Sequence, residues 1–192
     1  MGSDPGGGYS CGVSLECTTS DLMLALVNTR PSDNGRVERF DDEAGLLRWL
    51  TEAGISVDEP VTGADVVAAR ELRDAFATIF RAHCGCADAP VEAAEGYLRS
   101  IAGRYPLVLR ITVDGVRVKT SQTGLPGAFG TVLAAAADLS ARGIWSRLKL
   151  CKNPSCYAGF FDKTKNQSGQ FCSSGCGAQV SMRAYRSRIK TA

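Results

Sequence analysis

The chain of 192 residues has a globular composition, with 44% hydrophobic and 22% charged residues, and its length fits one domain and a small appendage. It contains no apolar run near the roughly 20 residues that span a bilayer, and residues 1–20 lack the basic start and apolar core of a signal peptide. We therefore expect a cytoplasmic protein that makes no membrane contact, in which the eight cysteines favour metal binding over disulfides.

The charge is unevenly distributed along the chain. Although the net charge is only +2, residues 147–192 carry nine bases and one acid, which gives this segment +8 and the preceding residues −6. A basic end on an acidic body is typical of a polyanion-binding module attached to a separate domain. A solvated basic tail is the alternative interpretation.

The first half of the chain is predicted to be mainly helical. Residues 1–20 are glycine-rich and polar and are expected to form a flexible leader, with Cys11 and Cys17 as free thiols. The apolar run DLMLALVNTR, residues 21–30, fits either a helix or a strand. Helices are then predicted from a cap at Asp41 or Asp42 through residue 53, from Thr62 to about residue 83, and over residues 91–103.

The period of the pattern changes after the third of these helices. Residues 107–113 and 116–119 predict a β-hairpin with Asp114 and Gly115 as its two-residue loop. The alanine-rich residues 127–147 predict a closely packed helix, which Gly143 weakens without ending. The fold class is therefore α+β: a mainly helical domain with a β-hairpin over residues 21–147, followed by a small C-terminal module over residues 148–192.

Four cysteines in the basic segment have the spacing C-x4-C-x15-C-x3-C: Cys151, Cys156, Cys172 and Cys176. Four thiolates complete the tetrahedral shell of one structural Zn²⁺ at about 2.3 Å each. Two disulfides would use the same four residues, but two short-range pairs separated by a polar linker are typical of a zinc framework. A site with four cysteine ligands leaves no open position for water, and the sequence shows no nucleophile and base pair, so we do not expect an enzyme.

A helix capped by Ser173 or Ser174 is predicted after the third ligand. At 100° per residue, an apolar sector that is expected to dock on the zinc module or the body contains Ala178, Met182, Tyr185 and Ile189. The adjacent sector, about 60° wide, is polar and contains Gln179, Arg183, Arg186 and Lys190. Such a row of cations matches a phosphate backbone, so the predicted nucleic-acid-binding residues are Gln179, Arg183, Arg186, Arg188 and Lys190.

Polar residues beside apolar segments of the body support a second hypothesis. Asn28, Thr29, Arg30 and Arg110 are candidates for lining a small-molecule pocket, in which case the body would bind a small molecule or act as an enzyme, with a purely structural zinc module. A third hypothesis is a protein-interaction adaptor built on the zinc module. DNA binding that weakens with salt would separate the first hypothesis from the others.

Two stretches resemble known families. CKNPSC, FFDKTKN, FCSSGCG and AYRSR resemble the CGNR zinc finger, and LALVNTR, LLRWLTEAGI and ARELRDAF resemble the ABATE domain that usually precedes it in bacterial proteins. The resemblance implies a treble-clef-like four-cysteine module with one zinc, a DNA-binding transcription regulator, and an upstream domain that senses an effector or forms homodimers. The motif is degenerate: Ala178 and Gln179 replace the family's Asn and Arg, and Gln170-Phe171 stands where Arg-Trp is expected.

Overall fold

The computed structural model describes residues 15–86 and 88–190. Two antiparallel two-stranded sheets, β1 with β2 and β3 with β4, are combined with six α-helices in this part of the chain. The predicted α+β class is confirmed. In chain order the elements are α1 Leu15–Val27, α2 Glu43–Glu52, α3 Gly63–His83, α4 Val91–Arg104, β1 Leu107–Thr112, β2 Gly115–Thr120, α5 Gly124–Ala141, β3 Leu148–Leu150, β4 Gly159–Phe161 and α6 Ser174–Lys190.

Side-chain caps define the starts of α2 and α3. The carboxylate of Asp42 accepts a hydrogen bond from the Gly45 amide at 2.8 Å. At α3, Thr62 and Asp65 form a capping box, in which each side chain accepts a hydrogen bond from the other's amide. Such caps satisfy amides that have no partner within the helix and contribute about 1 kcal/mol each. Both helices begin where the sequence predicts.

Two helices differ from the sequence-based expectation. Helix α1 begins at Leu15, inside the predicted leader, and takes up most of the ambiguous apolar run; residues 1–14, with Cys11, and the side chain of Cys17 lie outside the described part. Helix α5 ends at Ala141, so the prediction of a helix through residue 147 was wrong. The reason is Gly143, whose φ of +68° reverses the chain just beyond the helix.

Helix α3 lies at the centre of the core. Its apolar stripe buries Leu72, Phe76 and Phe80, each at most 2% exposed. Trp145, in the 3-10 turn after α5, packs edge-on against the last two of these rings. Leu148 of β3 belongs to the same hydrophobic cluster, so the segment that leads into the cysteines is part of the body's core.

The β1–β2 hairpin is present but its turn lies one residue earlier than predicted. Thr112 pairs with Gly115, so Val113 and Asp114 form the turn, and the positive φ of 135° falls on Gly115. The side chains of the two strands still alternate between the same two faces of the hairpin. The base of the hairpin packs on α5 at Gly130, where a Cβ would lie 2.5 Å from the Thr120 hydroxyl.

Among the described residues, no helix combines the length and the apolar character that crossing a bilayer requires.

Candidate metal centre

Two short loops and the first turn of α6 bring the four cysteines together. Cys151 directly follows β3, and its amide donates to the Ala158 carbonyl at 2.8 Å. The Asn153 carbonyl accepts hydrogen bonds from the amides of Cys156 and Tyr157, which forms the turn between the first two thiols. On the other side, the Ser173 hydroxyl accepts from the Cys176 amide at 3.3 Å, at the start of α6.

The distances between the sulfur atoms fit a tetrahedral zinc ion. All four Sγ atoms lie within 4.8 Å of one another, and the Cys156–Cys172 and Cys172–Cys176 separations are both 3.7 Å. Four bonds of about 2.3 Å at tetrahedral angles place sulfur atoms about 3.8 Å apart, whereas a disulfide would need about 2.05 Å. The geometry therefore favours zinc over the disulfide alternative. In the described residues this is the one His, Cys, Asp or Glu cluster able to hold a metal.

The environment of the thiols suits a closed structural site. Cys151, Cys156 and Cys176 are buried, and Phe160 and Phe171 pack against them. A hydrogen bond from the Asn153 side chain is the main cause that lowers the pKa of Cys176 to about 7, while burial raises the pKa of Cys151. Zinc needs all four ligands as thiolates, so metal binding releases protons from this cluster.

A buried ion pair supports the loop between the two cysteine pairs. The Lys149 ammonium donates to the Asp162 carboxylate at 2.6 Å, and the two side chains are 4% and 1% exposed. Lys149 also donates to the carbonyls of Gln167 and Gly169. Burial opposes ionisation of Asp162, but the hydrogen bonds from Lys149, Thr164 and Gly169 hold its pKa well below the usual range. This ion pair was not predicted from the sequence; its only indication was that Asp162 is the single acid in a basic segment.

The predicted nucleic-acid-binding residues fall into two groups. Gln179 accepts a hydrogen bond from the Asn153 amide group at 2.9 Å, and Arg183 donates to Asn153 Oδ1 at 3.3 Å and to Ser155 Oγ at 3.0 Å. These two residues therefore attach the helix to the first cysteine loop. Farther along α6 the cations Arg186, Arg188 and Lys190 are exposed.

The apolar sector of α6 does not dock. Met182, Tyr185 and Ile189 are 51%, 55% and 58% exposed, so the expectation that this side packs on the module or the body was wrong. The hydrogen bonds that join Gln179 and Arg183 to the cysteine loop explain the outcome, because they hold the polar sector against that loop.

The four predicted ligand-binding residues are not brought together. Asn28 donates to the Gly159 carbonyl at 3.1 Å and accepts from the Gly159 amide at 2.8 Å. Thr29 is buried, donates to the Leu26 carbonyl and accepts from Arg73. Arg30 pairs with Asp74 at 3.2 Å, while Arg110 is exposed on β1.

Further contacts that the sequence did not signal hold the zinc module on the body. The Arg36 guanidinium donates to the carbonyl of the zinc ligand Cys156 at 2.7 Å. At the end of α3, His83 Nδ1–H donates to the Leu148 carbonyl at 2.8 Å and the Cys84 thiol donates to the Leu150 carbonyl at 3.0 Å. Helix α3 thus ends at His83, as predicted, and the side chains of His83 and Cys84 bind the backbone of β3.

Fold and site together define a class: a helical α+β body joined to a treble-clef-like zinc module with four cysteine ligands. The ABATE family, described as "Putative stress-induced transcription regulator", matches residues 20–143. The CGNR zinc finger matches residues 147–189. The chain belongs to the ABATE family and carries a CGNR zinc finger, which confirms the resemblance and the single zinc ion on the four cysteines. No curated protein gives a significant match.

Proposed function

We propose that this protein is a zinc-dependent transcription regulator that binds DNA through α6, with the ABATE domain as a sensor or dimerisation domain. The observation that carries the proposal is the exposure of three cations at the end of α6, Arg186, Arg188 and Lys190. The family description of a transcription regulator supports it.

The charge of the zinc module favours a polyanionic partner. Its one acid, Asp162, is neutralised by Lys149 inside the module, so the other bases leave the surface of the module strongly positive. Arg186 and Lys190 lie on one side of α6 and Arg188 on the opposite side. Each contact of such a cation with a phosphate releases counterions from the DNA.

Zinc has a structural role in this proposal. The ion fixes the first turn of α6 through Cys176 against the loop that holds Gln179 and Arg183, and it thereby orients the rest of the helix. Four thiolates leave no coordination position for water, which supports a protein without enzymatic activity. A reducing, cytoplasmic setting would keep these thiols available for the metal.

A DNA-binding titration of the zinc-loaded protein over a salt series tests the proposal. We expect R186Q/K190Q to retain zinc and to weaken binding to genomic fragments about tenfold at low salt. If both residues contact phosphates, the slope of log affinity against log salt becomes shallower by about 1.8.

K163Q/K165Q is the matched control, because it removes the same charge from an exposed loop of the same module. Its affinity should stay within about twofold of the unmodified protein, since these lysines are placed outside the contact surface. Equal loss in both variants would show that only overall charge matters. Absence of binding at low salt would overturn the proposal.

A further inference from the structure

A cavity of about 1060 Å³ opens between the β1–β2 hairpin and helices α1 and α5. Its volume is slightly above the range of about 300–1,000 Å³ that is usual for small-molecule sites. None of the predicted ligand-binding residues except Arg110 contributes to its lining. The residues that matter for its chemistry are Leu22, Arg110, Arg117, Lys119, Ala134 and Arg142.

Three of the cations lie on one face of the hairpin. Arg110 is directly opposite Arg117 in the β-ladder, and Lys119 follows two residues later along the same face. Like charges directly opposite each other destabilise a hairpin. Among the described residues, no acid forms an ion pair with any of these three side chains, whereas Arg142 is paired with Asp138 at 3.4 Å. Asp114, at the turn, is the other acid that lines the cavity.

The opposite wall of the cavity offers a smaller aliphatic patch. Leu22 of α1 and Ala134 and Ala135 of α5 form it, beside the polar residues Thr19, Thr131, Asp138 and Arg142. The cavity therefore combines cations without an acidic partner on the hairpin with a patch of aliphatic surface on α1 and α5. This arrangement lies on a part of the chain whose net charge is −6, so general basicity of the body does not account for it.

We infer that this cavity binds an amphipathic organic anion, whose carboxylate or phosphate is held between Arg110 and Arg117 and whose apolar part lies against α1 and α5. Arg guanidinium groups match both oxyanions through paired hydrogen bonds. An anion placed there would also offset the repulsion between the two opposed arginines. The binding is independent of DNA recognition, and only its role as an effector rests on the proposed function.

Calorimetric titration of the zinc-loaded full chain with benzoate, phenyl phosphate and benzyl alcohol tests the inference. We expect at least one of the two anions to bind with a dissociation constant below about 10 mM, and the neutral alcohol to bind at least about tenfold more weakly. Comparison of the two anions identifies which oxyanion the site prefers. Binding of neither anion would overturn the inference.

R110Q/R117Q should weaken anion binding at least about tenfold, because it removes the charge-assisted hydrogen bonds. Its melting temperature should be equal or higher, since the like-charge pair is lost. The matched control is R99Q/R104Q, which removes two exposed arginines of α4 and should change anion affinity by less than about twofold. An equal loss of anion affinity in R99Q/R104Q would contradict the assignment of the anion site to Arg110 and Arg117.

A parallel DNA titration separates this inference from the DNA-binding proposal. R110Q/R117Q should leave DNA affinity unchanged. If DNA affinity falls while anion binding is unaffected, the hairpin is a second DNA contact and the inference is wrong. If the unmodified protein binds the anion but does not bind DNA, the anion site is supported and only its proposed regulatory role is contradicted.

Discussion

Lys149 and Asp162 show how one buried ion pair organises the polar loop of a small zinc module. Each of the two charges has several hydrogen-bond partners: carbonyls for the ammonium, and amides and a hydroxyl for the carboxylate. A buried charge is tolerated only when it is paired in this way. Because the folded-state pKa of Asp162 is lowered, its contribution to stability is complete above the usual carboxyl range and is lost as pH falls through the lowered value.

Removal of the Asp162 charge tests this role. D162N should lower the free energy of unfolding by about 3–5 kcal/mol, because the Lys149 ammonium would remain buried without a counter-charge. Urea unfolding of the zinc-loaded protein measures the change.

D138N is the control for this experiment, since Asp138 pairs with Arg142 at the surface with a side chain 47% exposed. A surface pair of this kind contributes less than about 1 kcal/mol. A loss of similar size in D138N and D162N would contradict the argument that burial sets the cost.

At the scale of elements, α6 is held mainly by its first three turns. Cys176, Gln179 and Arg183 contact the cysteine loops, and beyond them the helix is exposed on all sides. A helix anchored at one end depends on the rigidity of that end. Zinc coordination supplies this rigidity, because a module of this size has too little core of its own.

Loss of one thiolate should therefore release the metal and the helix together. For C172S we expect zinc content well below one ion per chain and a loss of helical signal by circular dichroism, since one missing ligand opens the closed four-thiolate site. C86S, at a cysteine outside the cluster, should retain both. Retained zinc and an unchanged melting curve in C172S would contradict the assigned ligand set.

At the scale of the whole molecule, the two family regions share one packed structure. Leu148 and Leu150 of β3 are buried in the core of the body. The Asn28 side chain forms two hydrogen bonds with the backbone of Gly159, which is 131 residues away in sequence. The ABATE domain and the zinc finger are thus joined by side chains on both sides of the boundary, and we expect the zinc site and the body to stabilise each other.

Asn28 provides the test of that dependence. N28A should lower the free energy of unfolding by about 1–3 kcal/mol, because both Gly159 backbone groups lose their partner. It should also speed the transfer of zinc to a chelator, which an absorbance assay follows. N166A, at an exposed asparagine of the loop between the two cysteine pairs, should leave both quantities nearly unchanged. An unchanged rate of zinc transfer in N28A would show that the module is independent of the body.

The sequence by itself determined the features that depend on neighbouring residues. The caps at Asp42 and Thr62 and the start of α6 near Cys176 follow from local hydrogen bonding and helical periodicity. The four zinc ligands follow from spacing within two short loops, which limits how their thiols can meet. The family resemblance rests on these same local patterns.

Only the tertiary structure decided which side of α6 contacts the cysteine loop and which partner Asn28 binds. Helical periodicity separates the two sectors of α6 but does not say which one contacts the rest of the molecule, and Asn153, 26 residues before Gln179, holds the polar sector at the cysteine loop. The role of Asn28 at Gly159 likewise depends on a partner far along the chain. The physical reason is the same in both cases. A polar side chain forms hydrogen bonds with the groups that the fold places beside it, and a partner that is distant in sequence cannot be identified from local sequence patterns.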